Sequence, residues 1–309
     1  MKKIALVGAG RVGESAAQIL AKEEMCRELV MIGTREGVAQ GTALDLQESA
    51  PLFGFDTKVT GSTDMEAIAG ADLIVISAGL PRKPGMSRSD VLEANIPIID
   101  SIVDTAKRVA PNAMLLMVTN PVDVLTYLAW KRSGWDRRRV FGLSGVLDSA
   151  RMAGFIALEA GFSMRAVSAM VIGGHGDNMV PLPRFSYISG IPIDHFLSQE
   201  AITRICKRTR TGGAEILALK KNSSAYDAPG AAIAAMVDAI SHNRRRIMPC
   251  VAILDGEYGQ RQLSMGVPVL LGERGVEKVI ELSLNDSEKH EIAQSAATIS
   301  ADLLKIKTK

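Results

Sequence analysis

The strongest constraint on this chain sits at its amino terminus. Residues 4–7 (Ile-Ala-Leu-Val) form a continuous apolar run, followed at once by Gly8-Ala9-Gly10-Arg11-Val12-Gly13 and a segment of helical spacing over 12–23. A G-x-G-x-x-G between strand and helix gives a tight turn at the first glycine. It lets the backbone approach a pyrophosphate at the second and lets helix and strand pack closely at the third. The helix amino terminus adds unpaired N–H groups and a partial positive charge for the anion. The same glycines elsewhere would be an ordinary turn; their position makes them a dinucleotide-binding signal.

The pattern then repeats. Residues 29–32, 73–77 and 114–118 are apolar runs of similar length, with helical spacing between them, as over 98–109. Unbroken apolar runs suit parallel strands covered on both faces. Strand–helix alternation predicts an α/β fold with a Rossmann-type doubly wound parallel sheet. The character changes near Gly145. Longer amphipathic segments appear at 147–160, 199–219, 229–240 and 287–304, with strand-like runs at 166–172, 249–254 and 267–271. These describe a second, α+β substrate domain. The expected division is a dinucleotide-binding domain over 1–145 and a substrate/catalytic domain over 146–309, and 309 residues fit two domains comfortably.

Charge and composition exclude several partners. Thirty-six Lys+Arg against 34 Asp+Glu leave a net charge of +2, too small a field to draw the chain to nucleic acid or an anionic membrane. No apolar run approaches the ~20 residues of a membrane span. Arg137-Arg138-Arg139 and Arg244-Arg245-Arg246 cannot each share one helix face, and aromatic residues are only 4%. They read as solvated or interface arginines. Met1-Lys2-Lys3 with four apolar residues before Gly8 is too short for a signal-peptide core, so a cytoplasmic location is expected. Cys26, Cys206 and Cys250 are far apart, without Cys-x-x-Cys or histidines at ligand spacing. They read as buried thiols in a reducing compartment, with no disulfide framework and no metal site.

An acidic residue about 20 positions past the glycine motif is expected to hold the ribose 2′-hydroxyl of NAD. Gly33 stands there, followed by Thr34 and Arg35. A glycine removes the negative charge that repels a 2′-phosphate, while a hydroxyl and a forked guanidinium offer to bind one. The cofactor is therefore NAD or NADP, and acceptance of NADP is the favoured reading. The other reading, in which Arg35 stacks on the adenine or faces solvent, stays open.

Ligands of open α/β sheets bind beyond the carboxyl ends of the strands. After 73–77 comes a glycine- and proline-punctuated stretch carrying Arg82 and Arg88, a candidate lid with Gly79 and Gly85 as hinges. After 114–118 come Thr119, Asn120 and Pro121. Asp148 and Arg151, three apart in a helical segment, share a face. His175 follows another strand-like run, between glycines that leave its ring room for a ligand, whereas His195, His242 and His290 read as surface or cap residues. These groups suit the oxidation of a secondary alcohol. His175 removes the proton, and a buried Asp148 fixes its tautomer and stabilises the imidazolium. Arg151 grips a substrate carboxylate and Arg88 polarises the carbonyl. Arg82 faces the far end of the substrate, where a second cation suits a second carboxylate.

Several stretches together resemble the lactate/malate dehydrogenase family, in particular its bacterial and archaeal lactate-dehydrogenase-like malate dehydrogenases. They are residues 8–13, Gly37-Val38-Ala39-Gln40-Gly41, Ala43-Leu44-Asp45-Leu46, residues 81–88 and Thr119-Asn120-Pro121. Leu147-Asp148-Ser149-Ala150-Arg151, Gly173-Gly174-His175-Gly176-Asp177, Pro181-Leu182-Pro183-Arg184 and Gly266-Val267-Pro268 extend the likeness over essentially the whole chain. The resemblance implies His175 as proton donor and acceptor with Asp148 as its partner, and Arg88 and Arg151 on the substrate. It further implies Asn120 near substrate and nicotinamide, Asn95 and Val118 in cofactor contact, and a homodimer or homotetramer. At position 82 the family has glutamine with pyruvate and arginine with oxaloacetate, so Arg82 implies a dicarboxylate. Gly33 departs from the family's usual Asp. Two rivals are a lactate dehydrogenase, against which Arg82 speaks, and a non-catalytic dinucleotide sensor. The sensor predicts loss of at least one of His175, Asp148, Arg151 or Arg88, and all four are present.

Overall fold

Segments with no polar position have no face to offer water, so they must lie inside a sheet covered on both sides. The computed structural model describes residues 1–80, 88–221 and 223–307 and bears this out. Arg82 and the rest of 81–87 lie outside the described residues. Contacts divide the chain into two units. One is Met1–Leu143 with Tyr226–Arg246 and Leu270–Lys278; the other is Ser144–Ala225 with Ile247–Val269 and Val279–Lys309.

The first unit runs β1 (Lys3–Val7), α1 (Arg11–Lys22), β2 (Glu28–Ile32), α2 (Val38–Phe53), β3 (Lys58–Ser62), β4 (Leu73–Ile76), α3 (Arg88–Val109), β5 (Met114–Met117), α4 (Val122–Ser133) and β6 (Val140–Gly142). The strands lie in the order β3-β2-β1-β4-β5-β6, every neighbouring pair parallel. All residues of β4 and β5 are buried. The order reverses between β1 and β4, where Val7 lies opposite Ile76, so the loops after β1, β2, β4 and β5 gather at one edge.

The second unit contributes α5 (Gly145–Ala160), β7 (Val167–Ser168), β8 (Val171–Gly173), β9 (Met179–Pro181), β10 (Tyr187–Ile188), β11 (Ile191–Pro192) and α6 (Gln199–Lys220). Next comes α7 (Asp227–Ser241), which belongs to the first unit, then β12 (Arg246–Asp255), β13 (Arg261–Gly272), β14 (Gly275–Val279), of which 275–278 belong to the first unit, and α8 (Asp286–Lys307). β12, β13, β8 and β9 are neighbours in that order, and β7, β10 and β11 form an antiparallel three-stranded sheet. Met152 and Ile156 of α5, Val171 of β8 and Ile202 and Ile205 of α6 share one buried core.

The structure departs from the sequence expectation in three places. The expected strand over 166–172 is two strands in two sheets: Val167–Ser168 pairs with β10, and Val171–Gly173 pairs with β9. The chain turns between them, where the Val171 N–H donates to Ser149 Oγ at 2.9 Å. α3 starts at Arg88 rather than near 98 and carries Pro97 in its interior, where the ring has no N–H to give the helix. The helix expected over 229–240 forms as α7 but packs on α1 in the first unit. A Cβ on Gly230 would meet Ser15 Oγ at 2.3 Å, so the glycine permits a close crossing. The first boundary between units falls at Leu143/Ser144, and the units are discontinuous.

Candidate active site

The phosphate loop has the geometry its glycines require. Gly8 has φ +121°, and a Cβ there would stand 2.5 Å from the Ala78 nitrogen. A Cβ on Gly13 would stand 2.1 Å from the Gly8 carbonyl oxygen, whereas one on Gly10 would meet nothing within 4 Å. α1 begins after Gly10 with no capping side chain, so its first N–H groups are offered to that open face. A dinucleotide pyrophosphate fits this cradle. Ala9 and Val12 are partly buried beside it, and the exposed Arg11 guanidinium lies over the Tyr226 ring at 5.4 Å.

Past β2, Gly33 donates its N–H to the Ser62 carbonyl at 3.1 Å, while Thr34 and Arg35 are exposed. A Cβ on Gly33 would lie 3.0 Å from Ala9 Cβ and 3.4 Å from Ala39 Cβ. The missing side chain thus leaves little spare room. Past β5, Val118 is half-buried and donates to the Ile76 carbonyl at 2.9 Å; Asn120 is exposed and joined to Pro121 by a cis peptide bond.

Asn95, 1% exposed on α3, ties these loops together. Its Oδ1 accepts from the Leu80 N–H at 2.7 Å, and its Nδ2 donates to the carbonyls of Leu80 at 3.3 Å and Asn120 at 3.0 Å. Its amide therefore acts on the loops after β4 and β5.

In the second unit, α5 presents Asp148 and Arg151 on one face. Gly145 lets the start of that helix press on the strands, since a Cβ there would stand 2.4 Å from the Val171 carbonyl oxygen and 2.6 Å from Pro249 Cβ. Asp148, its side chain 1% exposed, then receives two partners: His175 Nδ1 at 2.9 Å from Oδ2, and Arg151 Nη1 at 3.1 Å from Oδ1. An ionised carboxylate only accepts, so Nδ1 carries hydrogen and Nε2 of the neutral ring is left with its lone pair. His175 stands between β8 and β9, with φ +83° at Gly173 and +97° at Gly176. Arg151 also donates to the Thr209 carbonyl at 3.4 Å, and a Cβ on Gly212 would collide with it, 2.4 Å from Cδ.

Sequence reasoning identified the His–Asp–Arg cluster and missed what surrounds it. Gly212 signals itself only as a glycine within a long helical run, a placement that costs about 1 kcal/mol unless packing demands it. Ser144, 1% exposed at the start of α5, has a hydroxyl with no hydrogen-bond partner among the described residues, the kind of group a bound ligand satisfies. Arg88 opens α3.

The remaining motifs are structural. Arg138 pairs with Asp136 and Arg244 with Asp238, Arg245 pairs with Glu277, and Arg139 donates to the Ala113 carbonyl. His195 and His290 are exposed, and His242 caps α7 beside Asp238. Burial pushes the thiols of Cys26 and Cys250 up to about 12 and raises that of Cys206, which suits inert side chains. Among the described residues no group of His, Cys, Asp and Glu could hold a metal ion, and no helix is long and apolar enough to cross a membrane.

Comparison with known proteins agrees with this geometry. Residues 2–142 match the model of the lactate/malate dehydrogenase NAD binding domain, and residues 145–309 match that of the lactate/malate dehydrogenase alpha/beta C-terminal domain. A malate dehydrogenase of Thioalkalivibrio sulfidiphilus is 63% identical over 307 residues, 99% of this chain and 100% of that protein. Among solved structures, the malate dehydrogenase of Salinibacter ruber is 42% identical with a TM-score of 0.95, covering 99% of this chain and 98% of the other. The lactate dehydrogenase of Cryptosporidium parvum, solved with lactic acid and β-nicotinamide adenine dinucleotide, is 36% identical with a TM-score of 0.96, covering 100% and 98%. Matched along nearly all of its length by both domain models, this chain belongs to the lactate/malate dehydrogenase family.

Proposed function

We propose that this chain is a malate dehydrogenase interconverting malate and oxaloacetate, and the hydrogen-bonded cluster of His175, Asp148 and Arg151 carries the reading. The high identity to a malate dehydrogenase over the full length supports it. A nicotinamide dinucleotide would be held by residues 8–13 with Val118, Asn120 and the loop set by Asn95, and when bound would supply hydride exchange at the hydroxyl-bearing carbon. The rest of the work falls to side chains.

His175 takes the substrate hydroxyl proton on Nε2 during oxidation and returns it to the carbonyl oxygen during reduction. Asp148 keeps the ring in the tautomer that makes this possible and stabilises the imidazolium, a charge-assisted hydrogen bond worth about 1.5–3 kcal/mol. Arg151, steadied by Asp148 and the Thr209 carbonyl, offers its fork to the carboxylate beside the reacting carbon. From their places in the sequence, Arg88 polarises the carbonyl and Arg82 meets the far carboxylate. Pyruvate offers no second carboxylate to match the charge of Arg82, so charge matching selects the dicarboxylate. The fold does not choose between the two substrates, because malate and lactate dehydrogenases superpose on the chain equally well.

NADP is accepted alongside NAD in this reading, because Gly33 brings no carboxylate and Thr34 and Arg35 stand exposed next to it. The expected assembly is a homodimer or homotetramer. Exposed apolar side chains on α2, Leu44 at 60% and Leu52 at 87%, favour a covered surface there. Three free cysteines, two of them buried, support a cytoplasmic location.

The test is kcat/KM for oxaloacetate and for pyruvate, each with NADH and NADPH. Oxaloacetate is expected to lead by on the order of a hundredfold, the factor that a few kcal/mol of charge matching supplies. A lead for pyruvate would make the chain a lactate dehydrogenase, and activity with neither would sink the enzyme assignment. Negligible turnover with NADPH would overturn the reading of position 33.

A further inference from the structure

His175 stands in a segment that is conformationally permissive by composition, with positive φ at Gly173 and Gly176 and a third glycine at 174. Proton transfer demands the opposite, since a misplacement of about 1 Å can cost a hundredfold. Asp148 fixes the ring through Nδ1. The backbone is closed by the Met179 N–H donating to the Gly176 carbonyl at 3.1 Å, and on its other side by a side-chain hydroxyl. Ser295 of α8, 3% exposed, accepts from the Gly174 N–H at 2.7 Å and donates to the Asn178 carbonyl at 2.8 Å.

These two partners flank His175, so one side chain closes the loop across its base. The direction of both bonds is determined: the amide can only donate, the carbonyl can only accept, and serine has one hydrogen. The glycines are fitted to the hydroxyl. A Cβ on Gly173 would lie 3.0 Å from Ser295 Oγ, and one on Gly174 would lie 3.3 Å from both that oxygen and Ile299 Cδ1. One turn earlier on α8, Glu291 pairs with Arg210 at 2.8 Å, and Arg210 Nε donates to the Met179 carbonyl at 3.2 Å. The helix is thereby anchored to the strand that leaves the loop.

We propose that Ser295 is a positioning residue for proton transfer: by bridging Gly174 and Asn178 it fixes the backbone of His175, and so the place of Nε2. α8 then governs the rate without giving an atom to the substrate. The proposal rests on the reading of His175 as the proton carrier.

The experiment compares Ser295→Ala, Ser295→Thr and His175→Asn in the full chain. Ser295→Ala is expected to lower kcat for oxaloacetate reduction by about 10- to 100-fold. The KM for oxaloacetate and the Kd for NADH should stay within about twofold, the loss falling on the rate and not on binding. In the protein without substrate, the downfield proton resonance of the His175 Nδ1–H should shift or broaden. Ser295→Thr, which keeps the hydroxyl, should restore most of the rate and the resonance. Wild-type kcat in Ser295→Ala would overturn the proposal, as would a lower melting temperature with kcat and resonance unmoved, or equal damage in the Thr variant. His175→Asn separates the two readings. Normal turnover in that variant refutes the proton carrier itself, whereas an inactive His175→Asn beside a normal Ser295→Ala removes only the role of Ser295.

Discussion

Gly212→Ala places one methyl group against the stem of Arg151. The new Cβ would stand 2.4 Å from Arg151 Cδ, 2.7 Å from Nε and 3.4 Å from Cζ. Carbon atoms pack at about 3.5–4.0 Å, so the arginine must yield by about 1 Å because the helix backbone cannot. Its guanidinium is tied to Asp148 at 3.1 Å and to the Thr209 carbonyl at 3.4 Å, and that movement strains both. The fold itself is not at risk, since alanine in a helix interior gains about 1 kcal/mol over glycine. What suffers is the aim of the fork. Loss of one charge-assisted contact to the substrate carboxylate is worth about 1.5–3 kcal/mol, or roughly 10- to 150-fold. The KM for oxaloacetate should rise by that factor, with the Kd for NADH and the melting temperature little changed. Steady-state kinetics, a fluorescence titration of NADH and a thermal melt read the three quantities. Gly213→Ala is the control: a Cβ there meets nothing within 4 Å, and its kinetics should match the parent. An unaltered KM in Gly212→Ala would show that Arg151 either does not hold the carboxylate or moves aside without cost.

Three further substitutions address specificity and stability. Arg82→Gln should shift the ratio of kcat/KM values from oxaloacetate toward pyruvate, and an unchanged ratio would place specificity elsewhere. Gly33→Asp should lower use of NADPH relative to NADH. Its Cβ asks Ala9, 3.0 Å away, to give by a few tenths of an ångström, so some loss with both cofactors is expected, and an unmoved ratio would dispose of the charge argument. Glu288→Gln tests a pH dependence. Hydrogen bonds from Arg184, then from the Asn285 N–H, hold the Glu288 carboxyl below the usual carboxylate range. A depressed carboxyl contributes stability above its unfolded pKa and loses it as pH falls through the folded one. Variant and parent should therefore differ at neutral pH, by no more than about 1 kcal/mol because Arg184 is half exposed, and should converge in acid. A difference that persists or grows in acid denaturation curves would refute the pairing.

The parts of this molecule that could be read from sequence share a physical character. β1, β2, β4 and β5 are buried on both faces, so their apolar runs have no competing interpretation. β3 alternates around Thr60 and Gly61, and β6 has three residues, too little pattern to separate from loop. The chemistry was equally local. The glycine turn is dictated by steric limits on neighbouring residues, Asp148 and Arg151 by one helical turn, and His175 by the glycines beside it. Placement, by contrast, is set by groups remote in sequence. Ser295 reaches Gly174 across 121 positions, Gly212 makes room for Arg151 from another helix, and Asn95 joins the loops at Leu80 and Asn120. Nothing in a serine on an amphipathic helix announces that partner, and nothing in the order of helices says that α7 returns to the first unit. The likeness to known dehydrogenases implies Asn95 as a cofactor contact, and what no motif announces is that its buried amide also bonds backbone groups of two strand-end loops. If reactive groups are specified by short-range rules and their positions by long-range contacts, substitutions of the second kind should change kcat or KM while leaving the substrate and cofactor preferences intact. Ser295→Ala, remote from every motif, is the place where that separation is expected to be plainest.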